Sequence, residues 1–293
     1  MPAPFGRVLT AMVTPFGTDG GVDLERAAAL AERLVDDGND GLVISGTTGE
    51  SPTTTDAEKD ALLRAVVAAV GDRAHVLAGI GTNDTAHTLE LARAAERAGA
   101  TGLLVVSPYY NKPPQAGLLA HFTAVADATG LPVMLYDIPG RTGVPIETDT
   151  LLRLAEHPLI VANKDAKGDL FATQRVLAGS DLAVYSGDDA VNLPLLSLGA
   201  VGMVSVTGHV IAQRHGAMVD AYLAGDVAKA RELNEGALPV TVGIMTRTQG
   251  VIMVKAALAL LGFPVGGVRL PLVDATTDQV EVLRADLVAG GVL

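Results

Sequence analysis

The chain has 293 residues, 49% of them hydrophobic, and carries a formal net charge of −12 at pH 7. This hydrophobic fraction excludes a disordered chain, and the negative charge argues against nucleic acid or an anionic membrane as a partner. Cysteine is absent, which excludes disulfides and thiolate metal sites. Because there is no basic-then-apolar signal pattern and no apolar run approaches about 18 residues, we expect a cytoplasmic protein.

Short apolar runs alternate with alanine-rich amphipathic segments along most of the chain, which predicts eight pairs of a strand followed by a helix. The predicted strands are Val8–Val13, Leu42–Ile44, Val76–Ala78, Gly102–Val106, Val133–Tyr136, Leu159–Asn163, Leu182–Tyr185 and Gly202–Val204. The helices between them are predicted to begin near Asp23, Asp56, Asp84, Gln115, Thr148, Asp169, Asp189 and His209. Several of these residues are Asp or Thr, which are favoured helix N-caps.

This regular alternation predicts parallel strands, and eight units favour a closed (β/α)8 TIM barrel over residues 1–225. A doubly wound open sheet is the alternative, but Gly79–Asp84 lacks the third glycine of a dinucleotide-binding fingerprint. Residues 226–293 show only helical patterns. These are Val227–Glu235, a run around Ile244–Leu261 and Thr277–Val288. We expect them to form a C-terminal helical appendage.

Among the six lysines, Lys164 is the one that follows a short apolar run, at the C-terminal edge of a predicted buried strand. Burial disfavours the ammonium form and lowers the pKa of a lysine from about 10.4. The neutral amine is a nucleophile that forms Schiff bases with carbonyl compounds. A lysine that merely reaches solvent from a strand end is the alternative, and the residues at the other strand ends bear on the choice.

Active sites of such barrels lie at the C-terminal ends of the strands. After the second strand, Thr47 and Thr48 lie between glycines, in a loop that suits a small anion such as a carboxylate or is simply a glycine-rich turn. Later strand ends and the loops after them carry Tyr109, Tyr110, Tyr136 and Arg141. A lysine, phenols, hydroxyls and an arginine together favour imine chemistry on an acidic carbonyl compound.

Other kinds of site lack support in the sequence. The histidines are scattered without the spacing of metal ligands: they are His75, His87, His121, His157, His209 and His215. A Ser-His-Asp nucleophile elbow is absent, and the acidic loop Ser186–Asp189 argues against a phosphate site. We therefore predict no metal and no cofactor, with the covalent imine formed on Lys164 itself.

Four motifs resemble those of the dihydrodipicolinate synthase family, which belongs to the N-acetylneuraminate lyase superfamily. They are GTTGES at Gly46–Ser51, SPYYNKP at Ser107–Pro113, YDIPGRTG at Tyr136–Gly143 and KDAKGD at Lys164–Asp169. The resemblance runs nearly end to end and includes TPF at Thr14–Phe16, SGDD at Ser186–Asp189 and RLP at Arg269–Pro271. It implies a TIM-barrel enzyme that condenses pyruvate with L-aspartate 4-semialdehyde to 4-hydroxy-tetrahydrodipicolinate, in lysine and diaminopimelate biosynthesis.

The resemblance also implies residue roles. Lys164 would form the imine with pyruvate, and Tyr136 and Thr47 would relay protons beside it. Tyr110 would complete this relay from a neighbouring subunit, which implies at least a dimer and usually a tetramer built as a dimer of dimers. Thr48, with backbone N–H groups, would hold the carboxylate of pyruvate.

The remaining implied substrate contacts lie in or after the fifth, seventh and eighth predicted strands. Arg141 would bind the carboxylate of aspartate 4-semialdehyde, and Gly187 and Val204 would line the site beside the imine. Two alternatives stay open: a sister aldolase that acts on a sugar acid such as N-acetylneuraminate or 2-keto-3-deoxygluconate, and a non-catalytic barrel that binds pyruvate as a sensor. The Gly-Arg-Thr loop argues against the first, and the complete set of Lys164, Tyr136 and Thr47 against the second.

The sequence departs from the family pattern in two places. Asn163 stands where relatives usually have an apolar residue, and strand alternation predicts that it faces the helix layer, where its amide needs partners. The second departure concerns positions that match the lysine-binding site of relatives inhibited by free lysine, which are Ser51, Asp56, Lys59, Asn83, His87 and Tyr109. His87 replaces a glutamate and Lys59 a histidine, so the resemblance implies a degenerate regulatory site.

Overall fold

The structure, a computed structural model that describes residues 2–293, contains eight parallel strands that close into one barrel. The strands are β1 (Val8–Ala11), β2 (Gly41–Ile44), β3 (His75–Gly79), β4 (Gly102–Val106), β5 (Val133–Asp137), β6 (Ile160–Asp165), β7 (Ala183–Ser186) and β8 (Gly202–Ser205). Each strand pairs with its neighbours in sequence, and β8 closes the barrel against β1 with Val204 beside Leu9. The predicted (β/α)8 TIM barrel is confirmed.

Helices follow the strands around the outside of the barrel. Over residues 2–223 they are α1 (Leu24–Asp36), α2 (Asp56–Val70), α3 (Thr85–Arg97), α4 (Gln115–Asp127), α5 (Pro139–Thr142), α6 (Thr148–Leu154), α7 (Leu170–Gly179), α8 (Asn192–Leu198) and α9 (Gly208–Leu223). The eight predicted starts lie within one residue of an observed start, if the 3₁₀ turn Asp189–Val191 is counted with α8. The N-cap carboxylates of Asp23 and Asp84 accept backbone N–H bonds, as these residue types predict.

The C-terminal region forms α10 (Val227–Met245), α11 (Gly250–Leu260) and α12 (Thr277–Ala289). The prediction that the first of these helices ends at Glu235 was wrong, because α10 continues through Pro239 for ten further residues. Proline removes one helical hydrogen bond, but Val240 and Ile244 are fully buried. Their burial stabilises the helix beyond the proline, and this tertiary contribution is not contained in the local sequence pattern.

Two apolar layers build the core. Inside the barrel, one cluster joins residues from the ends and middles of the strands, among them Leu9, Leu104, Met134 and Tyr185. Outside it, a larger cluster fills the space between strands and helices and includes Val240, Val251, Leu258 and Leu283 of the C-terminal helices. The apolar core therefore runs across residues 225 and 226, and the division of the chain there stays a prediction.

Left-handed backbone occurs at four non-glycine residues among those that the structure describes: Ser45, Glu50, Tyr110 and Lys112. All four lie in the loops that follow β2 and β4, at the C-terminal end of the barrel. A non-glycine residue with positive φ is uncommon, and such residues cluster where a loop must hold a particular shape. These two loops are therefore the first place to look for a site.

Within residues 2–293, no single helix is both long and apolar enough to cross a membrane. Helices α10 and α11 satisfy the length and composition criteria only as a pair, and they are bent by 111° relative to each other.

Candidate active site

Lys164 lies at the end of β6, in register with Tyr136 of β5 and Tyr185 of β7. Its side chain points into the barrel, and its amine lies 4.2 Å from the centroid of the Tyr136 ring. Only 4% of the residue is exposed. Burial lowers the pKa of Lys164 to about 8; the charge of Asp189 opposes this shift, and that of Arg141 adds to it. About a tenth of the amine is then neutral at pH 7, far more than for a free lysine.

Lys164 differs from the other poorly exposed lysines because it makes no ion pair with any of residues 2–293. Lys255 contacts Glu50 at 2.7 Å, Lys167 contacts Asp137 at 3.0 Å, and the more exposed Lys59 lies 3.7 Å from Asp56. Those partners stabilise the ammonium form. Lys164 is therefore the buried lysine best able to supply a neutral amine, and the interpretation of it as a lysine that reaches solvent was wrong.

A cavity of about 360 Å³ opens at the C-terminal end of the barrel above Lys164. Its walls come from the loops after β2, β4 and β5, and the site residues among its lining are Thr47, Ser51, Tyr109, Tyr110, Tyr136 and Arg141. Lys164 itself is not part of the lining, but Tyr136, whose ring its amine contacts, is part of it. The structure therefore brings the predicted imine-forming, proton-relay and arginine residues to one end of the barrel.

The phenol of Tyr136 is protonated at neutral pH. Burial raises the pKa of its phenol to about 12, and the charge of Arg141 and the side chain of Thr47 oppose the shift in part. A phenol beside an amine that is partly neutral at pH 7 can donate a proton and take it back. This arrangement suits the formation and breakdown of an imine, because each direction needs an acid and a base in turn.

The loop after β2 presents unpaired donors. Its turn is closed by bonds from the N–H of Gly49 to the carbonyl of Gly46 and from the N–H of Glu50 to that of Thr47. Within residues 2–293, the backbone N–H groups of Thr47 and Thr48 donate to no acceptor. Neighbouring N–H groups of this kind form a concave site for an anion. The predicted cradle for a carboxylate is therefore available in the folded chain.

Arg141 lies in the short helix α5, on the loop after β5. It is exposed and makes no ion pair among residues 2–293, although it lines the cavity. The loop is closed at its base by Asp137, which accepts the N–H of Ile146 at 3.0 Å and the amine of Lys167. A guanidinium on an anchored loop, with its donors unused, is suited to bind a ligand carboxylate.

Gly187 begins the loop after β7, the strand next to that of Lys164, and Val204 lies one strand further on, in β8. A Cβ atom at Gly187 would lie 2.9 Å from Cγ of Lys164, so only glycine leaves room for the lysine side chain in this position. Val204 belongs to the inner core cluster, on β8. Gly187 therefore lies beside the lysine, Val204 lies in the barrel interior, and their roles toward the substrate stay predictions.

Tyr110 is 88% exposed and has a φ of +73°. Tyr109 precedes it, and both residues line the mouth of the cavity. A large aromatic side chain held outward by a left-handed backbone is unusual in an isolated chain. The structure of one chain therefore brings Tyr110 near the site without burying it.

Asp189 is a buried carboxylate that the sequence did not single out. It accepts the N–H groups of Val206 and Thr207, both at 2.8 Å, and the hydroxyl of Ser205 at 2.6 Å. The loop after β7 therefore directs one of its two acidic side chains inward, to hold the start of the loop after β8. Alternating apolar and polar residues cannot reveal such a contact, because Asp189 and the two N–H groups that it accepts lie outside the strands.

The six positions matched to a lysine-binding site do not share one cavity in the single chain. Ser51 and Tyr109 line the main cavity, and Asp56 and Lys59 line a separate one of about 240 Å³. Oδ2 of Asp56 accepts a hydrogen bond from Nε2 of His87 at 2.8 Å, and the carboxylate lies 3.7 Å from the amine of Lys59. The backbone carbonyl of Asn83 accepts the amide of Asn111. The one acidic side chain of the set is thus already engaged by two basic neighbours.

Asn163 faces the helix layer, as predicted. Its register partners Leu135 and Val184 belong to the outer core, and its carbonyl oxygen Oδ1 is buried without a hydrogen-bond partner in the described part of the chain. We have no physical account of what this amide contributes. Among residues 2–293 there is also no group of three or more His, Asp or Glu side chains placed to hold a metal ion.

Comparison with known proteins agrees with this geometry. The family model described as the dihydrodipicolinate synthetase family matches residues 4–289. The chain is 68% identical over 289 residues to 4-hydroxy-tetrahydrodipicolinate synthase 2 of Streptomyces coelicolor, with 99% of this chain and 96% of that protein covered. It is 59% identical to 4-hydroxy-tetrahydrodipicolinate synthase of Mycolicibacterium paratuberculosis, over 100% of this chain and 97% of that protein.

Solved structures agree with the fold over the whole chain. The crystal structure of DHDPS from Cyanidioschyzon merolae with lysine bound has a TM-score of 0.97 and 43% identity, and 100% of each chain is covered. The chloride-inhibited dihydrodipicolinate synthase from Acinetobacter baumannii, complexed with pyruvate, has a TM-score of 0.94 and 37% identity, with 99% of this chain and 100% of that chain covered. From the motifs, the fold and these matches, the chain belongs to the dihydrodipicolinate synthetase family.

Proposed function

We propose that the chain is an enzyme that condenses pyruvate with L-aspartate 4-semialdehyde to give 4-hydroxy-tetrahydrodipicolinate, a step of lysine and diaminopimelate biosynthesis. The observation that carries the proposal is the state of Lys164, a buried amine without an ion pair beneath a cavity. Full-length relatives that are 56–69% identical bear the name of this activity. We also propose a cytoplasmic location, which the bacterial biosynthetic relatives support.

The first half of the reaction joins pyruvate to the enzyme. The neutral amine of Lys164 attacks the keto carbon of pyruvate, and the carbinolamine loses water to form the imine. Tyr136 and Thr47 give a proton to the leaving hydroxyl and take one back, and Tyr110 passes protons to solvent. The free N–H groups of Thr47 and Thr48 and the hydroxyl of Thr48 hold the carboxylate of pyruvate.

The second half releases the product from the enzyme. Loss of a methyl proton converts the imine to an enamine, whose carbon attacks the aldehyde of the semialdehyde. The amino group of the semialdehyde then attacks the imine carbon, which closes the ring and frees Lys164. Arg141 holds the carboxylate of this second substrate, and Gly187 and Val204 shape the space beside the imine. The lysine supplies the covalent chemistry, so the proposal needs no cofactor and no metal.

Tyr110 supports an assembly of at least two chains, and we propose a tetramer formed as a dimer of dimers. Its phenol is exposed in the single chain and held outward by left-handed backbone. In a dimer this side chain would enter the neighbouring site and complete the proton relay there. Sedimentation at assay concentrations tests the assembly, and a fully active monomer would contradict it.

Borohydride trapping tests the proposed chemistry. Incubation with pyruvate and borohydride is expected to add one lactyl-sized mass per chain, on Lys164, and Lys164→Ala is expected to abolish both the adduct and turnover. Lys167 and Lys255 are internal controls, because each is ion-paired and should stay unlabelled.

The result also separates the proposed function from its rivals. Pyruvate trapping together with turnover of aspartate 4-semialdehyde in a coupled assay supports the synthase. Trapping with turnover of a sugar acid instead would indicate a sister aldolase, and reversible binding of pyruvate without an adduct would indicate a sensor. Labelling of Lys167 in a protein whose Lys164 is unmodified would overturn the assignment of the imine.

A further inference from the structure

Glu50 is a buried acidic residue that the proposed chemistry does not use. It lies in the loop after β2, two residues after Thr48, whose N–H group is free, and it adopts a left-handed backbone with a φ of +55°. Only 3% of the residue is exposed. A carboxylate buried in strained backbone needs strong partners to stay there.

The partners of this carboxylate come from the C-terminal region. One oxygen forms an ion pair with the amine of Lys255 of α11 at 2.7 Å, and the other accepts the backbone N–H of Arg269 at 2.9 Å. The amine of Lys255 also donates to the carbonyl of Gly267 at 2.6 Å. The two oxygens of one side chain therefore connect the loop after β2 to a helix and to an extended segment beyond it.

The same contacts are reinforced from the barrel side. Lys255 and Arg269 both lie 4.3 Å from the centroid of the Phe16 ring. The guanidinium of Arg269 bonds to the carbonyls of Gly20 and Thr53 and forms an ion pair with Glu58. The junction thus ties the loops after β1 and β2 to the C-terminal region through two cations.

The other side of the loop is fixed by a single strong bond, from the hydroxyl of Thr14 to the carbonyl of Gly49 at 2.6 Å. Gly49 and Glu50 donate their own N–H groups back into the turn. These bonds fix the C-terminal side of the turn, while the N–H groups of Thr47 and Thr48 make no bond within it. Movement of Glu50 would reorient these donors, because only two residues separate it from Thr47.

We propose that Glu50 is a positioning residue: its contacts with Lys255 and with the N–H of Arg269 hold the loop after β2 in the shape that binds the carboxylate of pyruvate. The C-terminal region then takes part in catalysis by orienting the anion cradle, without contacting the substrate. This inference rests on the proposed function, in that it assigns pyruvate to the cradle.

The test compares variants that break the ion pair from either end, Glu50→Gln and Lys255→Met. In each, the pyruvate concentration for half-maximal borohydride trapping is expected to rise roughly tenfold, the effect of weakening one charge-assisted hydrogen bond to the substrate. The KM for aspartate 4-semialdehyde is expected to stay within about twofold of the wild type, because Arg141 lies on a different loop. If Glu50 only stabilised the fold, its loss would weaken the binding of both substrates rather than that of pyruvate alone.

The matched control is Asp286→Asn, which removes the ion pair between Arg247, in the turn between α10 and α11, and Asp286 of α12 inside the C-terminal region. It should leave pyruvate trapping unchanged. Hydrogen exchange on the wild-type protein supplies a readout that does not depend on variants that fold: pyruvate should slow exchange both in Gly46–Ser51 and in Gly267–Arg269, because coupling between two segments is reciprocal.

Two results would overturn the inference. One is trapping of pyruvate by a folded Glu50→Gln or Lys255→Met chain at wild-type concentrations, and the other is slowed exchange confined to Gly46–Ser51. A wild-type chain that traps no pyruvate would instead refute the proposed function, so the two failures are distinguishable.

Discussion

Basic side chains form ion pairs at the junction between the barrel and the C-terminal region, but not at the mouth of the barrel. At the junction, Lys255 and Arg269 are paired with Glu50 and Glu58. At the mouth, Lys164 and Arg141 make no ion pair among residues 2–293, although Lys164 is as buried as Lys255. Where a cation holds two segments together, an acidic side chain pairs with it. Where a cation lies at the proposed substrate site, no acidic side chain pairs with it.

The pKa directions of the two buried lysines follow from this difference. Burial lowers the pKa of both, and for Lys255 the hydrogen bond and charge of Glu50 oppose the shift. For Lys164 the opposing charge comes from Asp189, which is itself bound to Ser205 and to backbone N–H groups. The pKa of Lys164 therefore falls to about 8. An uncompensated buried ammonium destabilises the folded state, and the same absence of a partner makes the amine reactive.

The largest expected effect is on the free energy of unfolding, which should fall when Lys255 is replaced by Met and rise when Lys164 is replaced by Met. Lys255→Met leaves Glu50 buried without its cation and is expected to reduce the free energy of unfolding by about 3–5 kcal/mol. Lys164→Met removes a lysine whose folded pKa lies below its unfolded value, so it is expected to raise the free energy of unfolding at pH 7 by about 3 kcal/mol. Urea unfolding at one fixed protein concentration measures both.

The pH dependence of the free energy of unfolding is a control for this prediction. The penalty from Lys164 is fully present below pH 8 and disappears as the pH rises from about 8 towards the unfolded value, so the advantage of Lys164→Met should vanish over that window. The double variant Glu50→Gln with Lys255→Met should be far closer to wild type than Lys255→Met alone, since no charge is left unpaired. Equal destabilisation by both single variants would refute the comparison.

The sequence predicts the mouth of the barrel better than the junction, for a physical reason. Lys164, Tyr136 and Arg141 are predictable because strand ends of a parallel barrel meet at one end, whatever the loop details. The partners of Glu50 are not, because Lys255 and Arg269 lie more than half the chain away from it in the sequence, Arg269 by 219 positions, and no local period links them. The extension of α10 beyond Pro239 escapes prediction in the same way, since it depends on burial against distant residues.

The second prediction concerns the unpaired guanidinium. Arg141→Ala is expected to raise the KM for aspartate 4-semialdehyde about ten- to a hundredfold, the effect of losing a charge-assisted contact to a carboxylate. Trapping of pyruvate should persist, because the first carboxylate is held by the loop after β2. Initial rates and borohydride trapping measure the two effects separately.

Arg175→Ala is the matched control for the arginine, because Arg175 is also exposed but already pairs with Asp149. It should change neither constant by more than about twofold. Loss of pyruvate trapping in Arg141→Ala would show that Arg141 supports the fold or the first carboxylate instead.

A smaller effect is expected from pH on the wild-type enzyme. Because burial lowers the pKa of Lys164 to about 8, the neutral fraction of its amine should rise about fivefold between pH 7 and pH 8 and level off above that. The rate of imine formation with pyruvate, followed by rapid-quench trapping, should follow the same curve. A rate that keeps rising to pH 10 would show that Lys164 is charged like an exposed lysine.

The smallest expected effect is inhibition by free lysine. It depends on the residue Lys59, which is a third protein lysine to compare with Lys164 and Lys255. Its amine donates to the carbonyl of Thr54 at 2.7 Å and lies 3.7 Å from Asp56, which also contacts His87. Two basic side chains of the protein therefore occupy the acidic group that a ligand with two ammonium groups would need. We expect lysine up to millimolar concentrations to inhibit weakly or not at all, assayed with the semialdehyde near its KM.

A variant that restores the charges of lysine-inhibited relatives supplies the control. Lys59→His with His87→Glu removes one positive charge and adds one negative charge beside Asp56. Because a charge-assisted hydrogen bond contributes roughly 1.5–3 kcal/mol, the double variant should bind lysine about ten- to a hundredfold more tightly than the wild type. Submillimolar inhibition of the wild type, or no gain in the double variant, would show that pairing of Asp56 with His87 and Lys59 does not control this site.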